Sequence, residues 1–263
     1  MLAAQALLAL IAFLLGAALF SFMNVVAWRL PRGKDPLTGR SFCPQCGAAL
    51  TAADLVPVFS WLALRGRCRH CGARIPARYL AVELLGGVLA LGCRWRFGAA
   101  YTLADGLFGI RWQGLAALAL CGVLLSIALI DAETQLIPNR LNAAVAVLAV
   151  VNLLLSPARW GGCAVGALCV SVPMLLLCLA IPGAFGGGDI KLMAVSGWFL
   201  GCAPVICAMF FGILTGGTYA GVMLATKKLG GKDHFAFGPF LAAGLMIGAV
   251  WGDAIATWYL RFL

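Results

Sequence analysis

Two aspartates in otherwise apolar sequence are the residues best suited to acid–base chemistry. Asp131 ends the run GVLLSIALIDAET, and Asp189 follows three glycines in PGAFGGGDIKLM. Ionisable groups at such positions in a membrane protein are costly and usually functional. A helix cap is the alternative for Asp189, because GGGD also suits the first turn of a helix. Two such aspartates on one membrane face favour a functional role.

A pair of neighbouring carboxyl groups can hydrolyse a peptide bond. The ionised carboxylate takes a proton from water, and the protonated partner donates to the scissile carbonyl oxygen. Such groups titrate as a pair, so the pattern assigns the base and acid roles to the pair and to neither residue alone. Gly186, Gly187 and Gly188 have no side chains and leave the backbone before Asp189 open for the approach of a substrate chain. Lys191, two residues after Asp189, is a further candidate contact for the substrate.

Four cysteines form a second candidate centre. They occur as CPQC and CRHC, and each pair is followed by a glycine that relieves crowding in the turn. Two such turns predict a tetrahedral four-thiolate zinc site, which is coordinatively closed and therefore structural. A redox pair or disulfides are the alternatives, and a reducing compartment disfavours disulfides. The expected ligands are Cys43, Cys46, Cys68 and Cys71.

The elements that position these groups must lie in lipid. Of the 263 residues, 63% are hydrophobic and 11% are charged, against about 25% charged in an average soluble domain. A membrane-spanning helix needs about 20 apolar residues. We therefore expect an all-α polytopic membrane protein with about eight transmembrane helices and a small cytoplasmic zinc-ribbon-like module. The candidate spans are 3–28, 79–97, 112–130, 141–156, 161–181, 190–202, 204–226 and 238–260, of which 190–202 is short for a full span.

The distribution of basic residues predicts the orientation. Lys and Arg accumulate in cytoplasmic loops, and such loops also lie against anionic lipid. This places the cysteines and both aspartates at the cytoplasmic face and both termini outside. The net charge of +10 does not indicate nucleic-acid binding, since no recognition motif accompanies it. Of the 19 Lys and Arg residues, those outside loops 29–78, 131–140, 182–191 and 227–238 are Arg94, Arg96, Arg111, Arg159 and Arg261.

These patterns predict three domains along the chain. Residues 1–28 form the first transmembrane helix, residues 29–78 the four-cysteine module, and residues 79–263 a transmembrane peptidase core. Glu83 lies in the apolar run YLAVELLGG of this core. It is either a buried carboxylate paired with an arginine such as Arg78, or a contact for a cofactor or an amine.

Several motifs resemble the type IV prepilin peptidases, which are intramembrane aspartyl proteases of the GxGD type. The resemblance rests on GGGDIK, on Asp131 followed by Ile137-Pro138-Asn139, and on both cysteine segments, SFCPQCG and WLALRGRCRHCG. It also rests on SFMNVVAWRLP (21–31), RYLAVELL (78–85) and FGPFLAAG (237–244). One departure is Asp54-Leu55-Val56-Pro57, which lacks the Asn that usually follows the Asp in the family pattern.

The resemblance implies a function and a location. It implies that Asp131 and Asp189 are the catalytic pair and that the four cysteines bind metal. It further implies cleavage of the basic leader of type IV prepilins or pseudopilins, for a type IV pilus or type II secretion, at the inner membrane. N-methylation of the new terminal residue with S-adenosylmethionine is also implied, although the chain has no strand–GxGxxG–helix unit.

Other readings of the same residues remain open. One is a peptidase that does not methylate. Another is a non-enzymatic membrane scaffold with a zinc module for docking, which leaves both aspartates without a role. A third is a proton-coupled transporter, but carriers usually place their acids near the bilayer midplane within internal repeats.

Overall fold

Helices make up most of the part of the chain that the computed structural model describes, which covers residues 2–98, 111–181, 183–226 and 235–262. The prediction of an all-helical membrane protein is confirmed. Within these ranges the extended pairings are the isolated bridges Phe42–Ala49 and Arg67–Arg74. The α-helices are α1 Leu2–Arg29, α2 Phe59–Ala63, α3 Ala77–Phe97, α4 Trp112–Thr134, α5 Asn139–Leu155, α6 Trp160–Cys169, α7 Ser171–Ala180, α8 Gly187–Leu200, α9 Cys202–Ala225 and α10 Gly238–Leu260.

Five helical stretches in the described ranges are long and apolar enough to cross a membrane, so the expected eight are not confirmed. The other three expected spans fall on α3, α5 and α8. Helices α5 and α8 have 17 and 14 residues, below the usual length of a span. The five stretches are Ala3–Arg32, Trp112–Thr134, Pro157–Ala180, Cys202–Ala225 and Gly238–Leu260.

The stretch expected at 161–181 is interrupted in its middle. Helix α6 ends at Cys169 and α7 begins at Ser171, with Val170 between them at φ −109°. Pro173 lies in the first turn of α7 and has no backbone N–H. The helical hydrogen bond from position 173 to the preceding turn therefore cannot form, which accounts for a break at this place.

The chain divides into two compact units, Met1–Leu118 and Ala119–Leu263. In the first unit, α1 packs against α3. An added Cβ at Gly16 would overlap the carbonyl oxygen of Gly86, and one at Gly86 would lie 2.5 Å from the carbonyl oxygen of Gly16. Two glycines therefore let these helix backbones touch, as small residues do between membrane helices. The residues between α1 and α3 hold the four cysteines.

The second unit is built on similar close crossings. Helix α9 packs along α10, and α8 packs against α5 and α6. At the α6–α8 crossing, a Cβ on either Gly166 or Gly197 would overlap the carbonyl oxygen of the other. These contacts hold α8 and α10 in the second unit, and the candidate site lies at the N-terminal ends of these two helices. The basic residues expected in the loop between α9 and α10, Lys227, Lys228 and Lys232, lie outside the described residues.

Candidate active site and metal centre

Asp131 lies in the last turn of α4 and is buried, with 5% of its surface exposed. Its Oδ2 accepts a hydrogen bond of 2.9 Å from the backbone N–H of Gly238, the first residue of α10. The carboxylate of one helix therefore caps the N-terminus of another, where unpaired N–H groups and the helix dipole favour negative charge. A Cβ on Gly238 would lie 2.5 Å from that oxygen, so the contact requires glycine.

Asp189 lies in the first turn of α8 and is half-buried. Its Oδ2 accepts a hydrogen bond of 3.2 Å from the backbone N–H of Gly186, the residue that precedes the helix. This is the helix-cap arrangement expected as an alternative to function. The helix cap does not rule out a catalytic role, because the hydrogen bond occupies only Oδ2 of Asp189. Both aspartates are thus held by a glycine N–H at a helix N-terminus.

Two contacts bring the two aspartate segments together within the second unit. Ile137 packs against Gly188, where an added Cβ would lie 3.0 Å from the Ile137 Cβ. Lys191 Nζ donates a hydrogen bond of 3.4 Å to Asn139 Oδ1. The sequence Ile137-Pro138-Asn139 therefore connects the end of α4 to the start of α8.

An aromatic contact links the two glycine donors. Phe185 precedes Gly186, Phe237 precedes Gly238, and the two rings pack with centroids 5.9 Å apart. Sequence reasoning did not assign a role to Gly238 or to this ring pair. The sequence FGPF at 237–240 could have pointed to both, but it entered only as part of the family resemblance.

The three glycines before Asp189 have different surroundings. A Cβ on Gly187 would meet nothing within 4 Å, whereas one on Gly188 would press on Ile137 and one on Gly186 would lie 3.0 Å from Asp189 Oδ2. The backbone is therefore open at Gly187 and closely packed at the other two positions.

The four cysteines are brought together in the first unit. Their sulfur atoms all lie within 4.8 Å of one another, and Cys43 Sγ is 3.9 Å from Cys71 Sγ. Tetrahedral zinc with Zn–S bonds of about 2.3 Å needs S–S separations of about 3.8 Å. The cluster therefore fits a zinc ion. His70 is not part of this cluster in the described residues.

The turns around the cysteines explain this geometry. Gly47 and Gly72 have φ of 71° and 69°, in the left-handed region that glycine adopts without strain. In each turn the glycine N–H donates to the carbonyl of the first cysteine, Cys43 or Cys68. Backbone N–H groups of Cys46 and Gln45 donate toward the Cys43 sulfur and lower the pKa of that thiol to about 7. A lowered pKa favours the thiolate that binds metal.

Glu83 connects three segments of the first unit. Its Oε1 accepts a hydrogen bond of 2.8 Å from Ser21 Oγ on α1, and its Oε2 accepts one of 2.7 Å from the backbone N–H of Val58. Val58 has φ of 65°, a strained value for a β-branched residue. Arg78, named above as a possible partner of Glu83, donates 3.4 Å to Asn24 Oδ1.

These features define a helical membrane protein with a candidate two-carboxylate site and a four-thiol module. The model of the bacterial peptidase A24 N-terminal domain matches residues 14–97. The model of the type IV leader peptidase family matches residues 118–221. The chain belongs to the type IV leader peptidase family, which confirms the resemblance and the enzyme class. Both aspartates lie within the second match, and the cysteines and Glu83 lie within the first.

Curated relatives match over nearly their whole length. A prepilin leader peptidase/N-methyltransferase of Bacillus subtilis is 32% identical over 95% of this chain and 97% of the relative. One of Aeromonas hydrophila is 32% identical over 94% and 92%. One of Burkholderia pseudomallei is 34% identical over 89% and 82%. No solved structure matches the chain.

Proposed function

We propose that this protein cleaves the leader peptide of type IV prepilins or pseudopilins with Asp131 and Asp189 as the catalytic pair. The observation that supports this most is that two aspartates, far apart in sequence, are each held by a glycine N–H at a helix N-terminus in one unit. Family membership supports the reaction class, and the relatives are named for prepilin cleavage.

Each carboxylate keeps one oxygen for chemistry. Oδ2 of Asp131 and Oδ2 of Asp189 carry the hydrogen bonds, and among the described residues no donor reaches either Oδ1. One Oδ1 takes a proton from the attacking water, while the other, protonated, donates to the scissile carbonyl oxygen. The glycine N–H bonds hold both groups in place during the reaction, which lowers the cost of orienting them.

The substrate chain is proposed to lie along the glycines before α8. Gly187 offers an unobstructed backbone face, and Gly186 and Gly188 keep that backbone close to Asp189 and Ile137. Lys191 stands one turn further along, where its ammonium group holds Asn139. A prepilin has a basic leader followed by an apolar helix, so its cleavage site meets the aspartates at the membrane boundary.

The orientation and the domain limits stay predictions. The site and the cysteine module are placed at the cytoplasmic face of the inner membrane, with both termini outside and the apolar helix surfaces against lipid. The positive-inside rule supports this placement. The division at residues 28 and 78, into first helix, module and peptidase core, is likewise a prediction.

The first unit is proposed to carry the methylation. The relatives bear the name N-methyltransferase, and S-adenosylmethionine, when bound, supplies an electrophilic methyl group. Glu83 is the proposed polar contact, since its carboxylate can accept the proton that the substrate amine loses. Zinc at Cys43, Cys46, Cys68 and Cys71 is proposed to be structural, because four thiolates leave no open coordination position.

A leader-release assay tests the peptidase proposal. Purified protein in detergent is incubated with a prepilin, and loss of the leader is followed by gel mobility and mass. Asp131→Asn and Asp189→Asn keep the side-chain shape and are expected to reduce the rate about 1,000-fold or more, as the loss of an acid–base group does. Asp253→Asn is the matched control, because Asp253 is an exposed carboxylate on α10. Wild-type rates in either site variant would refute the two-aspartate mechanism. Absence of leader release in the wild-type protein would instead favour the scaffold or the transporter interpretation.

A further inference from the structure

The first unit contains a cavity that has no part in the peptidase reaction. It has a volume of about 310 Å³ and lies among α1, α3 and the four-cysteine module. That volume is at the lower end of the range for small-molecule sites. Most of the lining surface is apolar, but polar and charged side chains also border the cavity, among them Asn24, Glu83, Arg29, Arg69 and Arg74. This combination is typical of a ligand site.

Asn24 is the first polar group that indicates what the cavity binds. The residue is 2% exposed and lies on α1. Arg78 donates to its Oδ1, and a guanidinium group has only donors, so this contact fixes which end of the amide is oxygen. The amide nitrogen points away from that contact, and it has no acceptor within the described part of the chain. A buried donor without an acceptor is costly and calls for a partner.

Glu83 is the second polar group. Its two oxygens each accept one hydrogen bond, from Ser21 and from the Val58 backbone. A carboxylate has about four acceptor sites, so each oxygen can still accept one more. Asn24 and Glu83 both line the cavity; the first has a buried amide donor without an acceptor and the second is an anionic acceptor. A ligand that satisfies both carries a positive donor near an oxygen acceptor.

Aromatic rings complete the lining. Trp61 and Tyr79 border the cavity, and the Trp61 ring is fixed by a hydrogen bond of 3.3 Å from its Nε1 to the Ile75 carbonyl. Aromatic faces bind apolar groups and also attract cations. The ring of Trp28 is already covered by Arg32 and Lys34, 4.7 and 5.2 Å from its centroid, so we assign it no ligand contact.

We propose that Asn24 and Glu83 together bind one amino-acid unit of a ligand, through its α-amino group and through the carbonyl or carboxylate oxygen of the same unit. The ammonium group contacts Glu83, and the oxygen accepts from Asn24 Nδ2. Two ligands of the proposed function share this chemistry: the new N-terminus of the cleaved pilin and the amino-acid end of the methyl donor. The proposal rests on the proposed methylation, and it assigns Asn24 a binding role that the peptidase reaction does not require.

The test measures binding to the full-length protein in detergent micelles by isothermal titration calorimetry. The probes are a short peptide with a free pilin N-terminus, the same peptide acetylated at its amine, and S-adenosylmethionine. The ligand that occupies the site, either the free peptide N-terminus or S-adenosylmethionine, should bind the wild-type protein. Asn24→Asp is expected to weaken that ligand about tenfold or more, since an acceptor replaces the donor. Loss of binding on acetylation identifies the peptide as the occupant.

Asn24→Asp separates binding from a structural role. The variant keeps an oxygen facing Arg78, so a residue that only holds Arg78 would tolerate it. Glu83→Gln keeps the shape of the side chain and is a second variant, which should weaken the same ligand if Asn24→Asp does not fold. Asn152→Ala is the control, because Asn152 is a buried asparagine of the other unit that bonds to the Phe199 carbonyl; its ligand affinity should be unchanged.

The outcomes are distinguishable from failure of the peptidase proposal. Leader release is measured on the same wild-type preparation, so that loss of ligand binding can be told apart from loss of the peptidase. Wild-type affinity for both ligands in folded Asn24→Asp and Glu83→Gln would overturn the inference. So would wild-type protein that cleaves the leader and binds neither ligand. Failure of wild type to cleave at all would instead contradict the proposed function.

Discussion

Replacing Gly238 by alanine tests whether Asp131 depends on the N-terminus of α10. The added Cβ would lie 2.5 Å from Oδ2 and 2.8 Å from Cγ of Asp131, whereas ordinary contacts begin at 3.4 Å. The carboxylate or the helix must therefore move by about 0.9 Å. A displacement of that size in a catalytic group costs about 100-fold in rate. Loss of a hydrogen bond to a charged group, about 1.5–3 kcal/mol, gives a similar figure.

The assay is leader release from a prepilin, with the thermal midpoint measured on each preparation. Gly248→Ala is the matched control for overpacking in the same helix, since its Cβ would lie 2.7 Å from the Pro204 carbonyl oxygen and would not touch Asp131. Gly217→Ala, whose Cβ meets nothing within 4 Å, controls for the added methyl group. Gly238→Ala should lose about 100-fold in rate at a stability no lower than that of Gly248→Ala. Activity in Gly238→Ala within a few-fold of wild type would refute the role of this contact.

Three further predictions concern the first unit. Removing metal with a chelator should abolish methylation while sparing leader release, because Cys43 and Cys68 line the cavity of the first unit and the aspartates lie in the other unit. Metal analysis and assays of both activities check this prediction, and parallel loss of the two activities would contradict it. The pKa of Asp54 is lowered from 3.8 to about 2, first by the Thr51 hydroxyl and then by Arg69. Its contribution to stability is therefore complete above about pH 5 and is lost as the pH falls through about 2. Asp54→Asn should lower the thermal midpoint equally at pH 6 and pH 8, and a difference between the two pH values would argue against this pairing. Arg29 donates to five backbone carbonyls, those of Asp35, Pro36, Thr38, Gly39 and Arg40. The single ammonium group of Arg29→Lys cannot reach all five, so trypsin should cleave after Arg40 several-fold faster in this variant. Unchanged cleavage would mean that other contacts hold the loop.

The sequence indicates which side chains are candidates for the two centres, but it does not indicate most of the contacts that hold them. The cysteine cluster follows from local spacing, because each CxxCG turn builds its own geometry around Gly47 or Gly72. The proximity of Asp131 and Asp189 was a hypothesis drawn from two helix boundaries. Their anchors, Gly238 and Gly186, differ in visibility: Gly186 is three residues from Asp189, whereas Gly238 is 107 residues from Asp131. Local spacing carries no information about the second kind of contact.

The helical spans show the same division. Apolar runs predicted helices at all eight segments and already indicated that 190–202 is short for a span. Hydropathy does not register the proline next to the break between α6 and α7. Glu83 is a similar case. Its burial in an apolar run was visible, but the partners Ser21 and Val58 depend on how α1 and the module pack on α3.

The central claim is that the two carboxylates act together on one peptide bond. A structure of the protein with an uncleavable leader peptide tests it most directly. Oδ1 of Asp131 and Oδ1 of Asp189 should both lie within about 2.6–3.2 Å of the scissile carbonyl or of one shared water, with Gly238 and Gly186 still donating to Oδ2. A peptide bound with its cleavage site away from either aspartate would contradict the account.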